Sequence, residues 1–261
     1  MAYIQATFEF NDSNEINIMF AGNYGAKGEK RTPRSKATSI QIEKQNQRNR
    51  ENRVRRLINQ NFSTEDYWVT LKYPAGTRKD VKELKKDFTK FARKMRYRYK
   101  KEEKDFKYIY RMEVGKNGGL HVHLLCNRIE NTDLYIKQCW IGHAWITTLY
   151  EEGGYTKLAE YIVKKPDEAI KGQLSLFPEE DRADLIHYGT SRNLEKPVPK
   201  VKEYSRRTVR GILDKIESGD YMQLATPGYY IDKNSIQTGI NPFTGESYIH
   251  YIEYRIRREG W

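Results

Sequence analysis

The apolar positions along this chain follow two different periods. Val81, Leu84, Phe88, Phe91 and Met95 step by three and four, which predicts an amphipathic helix over 78–100 with Lys and Arg crowding its other face. A second helix is predicted over Tyr155–Lys165, with Leu158 and Ile162 inward and Pro166 as its stop. Alternating or β-branched runs predict strands at 3–10 and 16–20 around an Asn-Asp-Ser-Asn turn, and at Tyr67–Tyr73 before Pro74-Ala75-Gly76. Further strands are predicted at Phe106–Val114, Gly119–Cys126, Ala144–Tyr150 and Leu185–Thr190. Helices and strands mix without regular βαβ alternation, so the expected class is α+β, with a central antiparallel sheet and flanking helices.

Outside this core the pattern changes. Residues 27–56 hold eleven basic and three acidic residues, and Ile40, Val54, Leu57 and Ile58 give only a thin apolar stripe. Such a segment reads as a basic N-terminal arm over 1–60, partly helical, that lies along DNA. The acidic stretch 167–184 reads as an exposed insertion. A short helix is expected near Val209–Leu213, and strands near Tyr229–Ile231 and Tyr248–Ile256, as a small C-terminal extension over 201–261. The functional domain is therefore expected at 61–200.

Charge adds a partner. The net charge is +12, and the 20 tyrosines supply flat rings beside the cations. Cations for phosphates and rings for unstacked bases suit a nucleic-acid surface. Two cysteines, Cys126 and Cys139, exclude a disulfide framework and a cysteine zinc site. No run has the length of a membrane span and no signal-peptide core opens the chain, so a cytoplasmic location without membrane contact is expected.

The candidate chemistry centres on Gly119–Cys126. His121 and His123 alternate with Leu120, Val122 and Leu124, so both imidazoles leave one face of a strand. Two imidazoles aimed at one point chelate, and Glu113 upstream could supply the carboxylate of a divalent-cation site. The parity is demanding. Glu113 must oppose His121 or His123, whereas a two-residue turn at Asn117-Gly118 would oppose it to Val122 on the other face. The metal reading thus requires a loop of odd length, or a bulge, within 115–120. On the later helix, Tyr161 has Lys157, Lys164 and Lys165 at helical spacing, which favours an ionised phenol and offers cations for a phosphate.

The order Trp68–Tyr73, Glu113 with His121-Val122-His123, then Tyr161-Ile162-Val163-Lys164 resembles the three motifs of HUH-type rolling-circle replication initiators. Ser191-Arg192-Asn193-Leu194 followed by Pro197 is similar to a segment of that group, and the likeness covers roughly 60–200. The resemblance implies an antiparallel sheet of about five strands. It also implies a divalent metal, Mg²⁺ or Mn²⁺, on His121, His123 and Glu113, with Tyr161 as nucleophile and Lys164 orienting it or touching DNA. Tyr155 lacks the spacing of a second nucleophile, so a single-tyrosine enzyme is expected. The activity implied is nicking and rejoining of single-stranded origin DNA through a 5′-phosphotyrosine. Its expected partners are single-stranded and origin hairpin DNA and a host helicase, with a dimer on DNA left open. Alternatives are an HUH transposase or relaxase, or a basic DNA-binding module whose histidines are structural.

Overall fold

Two antiparallel sheets organise the computed structural model, which describes residues 3–21, 38–115, 118–149, 155–165, 168–175, 177–241 and 244–256. The chain divides into two units, Asn46–Lys196 and Met1–Gln45 with Pro197–Trp261. It opens with a hairpin of β1 (Tyr3–Glu9) and β2 (Ser13–Phe20). Helix α1 (Ser39–Asn61) follows. Its stripe is thin, yet Val54 and Ile58 are fully buried. The predicted arm residues 22–37 lie outside the described residues.

The unit Asn46–Lys196 holds β3 (Tyr67–Lys72), α2 (Val81–Lys101), β4 (Tyr108–Val114), β5 (Leu120–Cys126) and α3 (Thr132–Cys139). Next come β6 (His143–Thr148), α4 (Thr156–Val163), α5 (Glu168–Leu174), α6 (Glu179–Ile186) and β7 (Tyr188–Thr190). The five strands make one sheet in the order β6-β3-β5-β4-β7, every pair antiparallel. This is the expected α+β architecture.

Period three-four buries the predicted face of α2: Val81, Leu84, Phe88, Phe91 and Met95, with Ala92 and Tyr99 added. Asp80 starts the helix, its carboxylate accepting from Glu83 N at 2.7 Å while Asp80 N donates to Glu83 Oε2 at 3.2 Å. Such a reciprocal cap satisfies two otherwise orphaned donors and contributes about 1 kcal/mol. The α2 face packs on Val69, Leu71, Met112, Val122 and Leu124, one side of the sheet.

On that same side the sequence expectation for 167–184 is corrected. The stretch is not an exposed insertion: α5 and α6 bury Leu174 and Leu185 in the α2 core, and Phe177 packs against it. Its acidic residues face the basic side of α2, where Glu180 and Asp184 meet Lys82 and Lys85 at 2.7 and 2.8 Å. α3 also went unpredicted, and Ile136 and Cys139 complete this layer.

The opposite side of the sheet is covered over part of its length. Val54 and Ile58 of α1 and Ala159 and Ile162 of α4 bury Ile109 and Leu125, with Trp68 against them. Beyond that patch the side chains turn polar. One cross-strand row carries Trp145, Thr70, His123 and Arg111, and the next carries His143, Lys72, His121 and Glu113.

The second unit adds β8 (Lys200–Tyr204), α7 (Arg206–Glu217), β9 (Tyr229–Ile231), β10 (Gln237–Ile240) and β11 (Ser247–Arg255). Sequence reasoning separates the N-terminal region from the C-terminal extension, but the structure pairs them. β11 runs beside β2, with Ile18 opposite Ile249 and Ile16 opposite Tyr251, and β8 runs beside β1. Tyr3, Ile16, Ile18, Val209, Ile231, Ile249 and Tyr251 form the core of this six-stranded sheet. The buried Glu253 accepts from Asn14 Nδ2 at 3.2 Å and Thr226 N at 3.1 Å, tying strands from both termini together. No described helix is long and apolar enough to cross a membrane.

Candidate active site

The hairpin between β4 and β5 has the parity that a shared site demands. Glu113 stands opposite His121, Arg111 opposite His123 and Val114 opposite Leu120. Gly115 N donates to Gly119 O at 2.8 Å, which leaves three residues, 116–118, at the tip. Of these, 116 and 117 lie outside the described residues, and Gly118 has φ +76°, a conformation that disfavours any side chain. The loop is therefore odd, and the two-residue turn that would have sent Glu113 to the other face is not formed.

Glu113, His121 and His123 each offer a ligand atom, and these atoms lie within 4.8 Å of one another. The two Nε2 atoms are 3.1 Å apart, and Glu113 Oε2 is 3.4 Å from that of His123 and 3.8 Å from that of His121. The far sides of the ligands are held by protein. Thr70 Oγ1 lies 3.2 Å from His123 Nδ1, and Gly119 O lies 3.4 Å from His121 Nδ1. Such outer partners fix ring orientation, leaving each Nε2 aimed at the common point. The ring of Trp68 stacks on His123, centroids 5.4 Å apart and planes 6° from parallel.

The electrostatics suit a cation. Burial and the neighbouring His123 lower the His121 pKa to about 4, so its imidazole is neutral with a free lone pair at pH 7. Burial pushes Glu113 up, but its hydrogen bond with His123 and the charges of Arg111 and Lys164 outweigh this and bring its carboxyl down to about 2. One carboxylate and neutral imidazole nitrogen in so small a space form a donor set that fits Mg²⁺ or Mn²⁺.

Tyr161 reaches the same point from α4. Its hydroxyl donates to Glu113 Oε2 at 2.9 Å and lies 2.8 Å from His123 Nε2. Lys164, just past the last turn, places Nζ 4.0 Å from the centre of the Tyr161 ring and 3.3 Å from Glu113 Oε1. Lys157 and Lys165, also predicted around the phenol, are exposed. The expectation that lysines favour the ionised phenol is reversed: burial and the Glu113 charge raise the Tyr161 pKa above its ordinary value. Tyr155 is a buried core residue at the start of α4 and takes no part in the site.

Arg111 is the residue that sequence reasoning missed. It is buried, and its Nη1 donates to Ile162 O at 2.8 Å and Lys164 O at 2.9 Å, the unpaired carbonyls at the end of α4. Its Nε lies 2.9 Å from Glu113 Oε1. One guanidinium thus ties the nucleophile's helix to the candidate carboxylate ligand. The signal was available: Arg111 is two residues from Glu113 and so shares its face. The Ser191 segment has a structural place at the edge of the sheet, where Ser191 Oγ accepts from Tyr108 N at 3.0 Å and Ser191 N donates to Tyr108 O at 2.9 Å.

All of these catalytic and metal-site candidates fall within 66–167, and that segment matches the family model of the replication-associated protein ORF2. No curated protein and no solved structure matches the chain. The His-Val-His strand agrees with the HUH type of rolling-circle initiator, and through residues 66–167 the chain belongs to the ORF2 family of replication-associated proteins.

Proposed function

We propose that this protein nicks and rejoins single-stranded DNA at a replication origin, with Tyr161 as the nucleophile. The observation that carries the proposal is the convergence of the Tyr161 hydroxyl on His123 Nε2 and Glu113 Oε2, at 2.8 and 2.9 Å. A helix-borne phenol beside a His, His, Glu donor set has the parts of metal-assisted phosphoryl transfer to tyrosine.

Glu113, His121 and His123 would hold a divalent cation, which as a Lewis acid offsets charge on the scissile phosphate oxygens. The rest is done by the chain. Tyr161 Oη attacks phosphorus in line and forms the new P–O bond as the bond to the 3′-oxygen breaks, its electron pair leaving on that oxygen. The phenol gives up its proton and the 3′-oxygen gains one, so the products are a 5′-phosphotyrosine and a free 3′-hydroxyl. The diester count is unchanged, so an incoming 3′-hydroxyl reverses the step and rejoins the strand without a nucleotide cofactor. Lys164 Nζ, over the ring and beside Glu113, offsets negative charge as it develops on Oη. Arg111 holds the end of α4 so that Oη keeps its place. Opening of the duplex is left to a helicase, since this chain carries no Gly-x-x-x-x-Gly-Lys-Ser/Thr loop.

The test is a denaturing gel of the protein incubated with Mn²⁺ and candidate origin single strands. A slower, covalent protein–DNA band is expected, and it should vanish in Tyr161→Phe while DNA binding is retained. A Tyr161→Phe protein that still forms the band would refute the assignment.

A further inference from the structure

The two polar rows that carry the site do not end at the histidines. They continue across β3 to the edge strand β6, where Trp145 follows Thr70 and His143 follows Lys72. Antiparallel neighbours directly opposed point to one face, so Trp145 shares the face of His123, and Lys72 the face of His121. Trp145 is 64% exposed, a costly place for so large an apolar ring unless something covers it. Lys72 is exposed too, with Nζ 5.3 Å from the Trp145 ring centre and a charge that reaches His121.

We propose that Trp145 is a stacking platform for an unpaired base of the DNA strand held at the nicking site, and that Lys72 meets a phosphate on the same path. The proposal rests on the nicking reading for where the strand is cut, and on the open face of the sheet for where it runs. A flat exposed ring beside an ammonium is the pairing that single strands require, because every base has a π-face and every linkage a charge. A duplex offers no free base face, so the platform selects unpaired DNA. Trp145 lies two strands from His123, roughly 10 Å at the usual strand spacing, which is about three nucleotides of a stacked strand and fewer of an extended one. The stacked base is therefore one to three positions from the scissile phosphate, and Trp145 fixes which phosphate reaches Tyr161.

The test uses the full chain in a Tyr161→Phe background, with fluorescein-labelled oligo(dT) followed by anisotropy and a dA·dT duplex of equal length as control. Trp145→Ala is expected to weaken oligo(dT) binding roughly 5- to 100-fold, Trp145→Phe to keep most of it, and neither to change duplex binding. Lys72→Gln should lower the slope of log affinity against log salt by about 0.7. Single-strand affinity unchanged in Trp145→Ala within about twofold, or an equal loss on duplex, overturns the platform. The nicking reading fails separately: a chain with Tyr161 intact that never forms the covalent band on origin strands refutes nicking, whatever Trp145 does. A Trp145→Ala chain that binds normally and still forms the band refutes only the platform.

Discussion

Replacing Arg111 by Met removes a buried charge while keeping an apolar stem of similar reach, and it tests whether the nucleophile's helix is anchored from the sheet. The side chain is 3% exposed, Nη1 donates to the Ile162 and Lys164 carbonyls, and Nε pairs with Glu113. Breaking a buried ion pair by removing one partner costs about 3–5 kcal/mol, since the other charge is left behind. Lys164 remains 3.3 Å from Glu113, which places the loss near the lower end, about 3 kcal/mol. The freed carbonyls are partly within that figure and are not added to it. For a domain of this size the loss corresponds to a fall in Tm of roughly 10 °C. The catalytic effect is larger in proportion, because a displacement of Oη by about 1 Å can lower the rate about 100-fold. Thermal unfolding followed by circular dichroism reads the first effect, and the initial rate of covalent band formation with Mn²⁺ reads the second. Arg111→Lys should fall between, since one ammonium cannot reach the carboxylate and both carbonyls together. A methionine variant that melts within about 2 °C of the parent and forms the adduct at the parental rate would refute the anchoring role.

Four further outcomes follow from particular contacts. Chelation with EDTA should abolish the covalent band and leave salt-sensitive DNA binding in place, because binding rests on Lys and Arg; cleavage that persists would refute the His121, His123 and Glu113 assignment. Deleting residues 1–60 should destroy adduct formation even on a single-stranded oligonucleotide, since Val54 and Ile58 are core residues beneath Leu125 and Ile162; an active truncated chain would show that α1 is dispensable. Ile58→Ala in the full chain should cost about 2–5 kcal/mol in denaturant unfolding, and a change under about 1 kcal/mol would contradict its burial. Gly142→Ala should lower Tm, because its Cβ would lie 2.1 Å from Lys72 O, a backbone atom, and force β3 and β6 apart; an unchanged Tm would show that this turn can yield.

How much of this was legible before any coordinates depended on whether a local rule decided the matter. The period of Val81, Leu84, Phe88, Phe91 and Met95 identified α2 because no other structure buries that spacing. Parity did the same for the hairpin: period two in both strands left only odd loops able to join Glu113 to His121. The pairing of β2 with β11 was invisible, since two polar-edged strands more than two hundred residues apart carry no local sign of their partner. The stretch 167–184 misled through its charge, which hid two inward leucines, Leu174 and Leu185, among residues whose carboxylates meet the lysines of α2. Arg111 was passed over because arginines are rarely buried, although its position two residues before Glu113 placed it on the site face.

The least legible property of the site was the state of its nucleophile. Lysines at helical spacing suggested a phenol with a lowered pKa, but two of the three are exposed and the third shares its charge with Glu113. What faces the Tyr161 hydroxyl is a buried carboxylate held ionised by Arg111, Lys164 and His123, and an anion at 2.9 Å opposes a second anion on Oη. The protein therefore orients this hydroxyl without ionising it. Its two hydrogen-bond partners are also two of the three candidate ligands, so positive charge brought to Glu113 and His123 would relieve the repulsion at the same atoms that raise the phenol's pKa. Ionisation of Tyr161 is in this way coupled to occupancy of the Glu113, His121 and His123 site, and a nucleophile that stays protonated until that site is charged avoids attacking DNA that is bound but not yet in place.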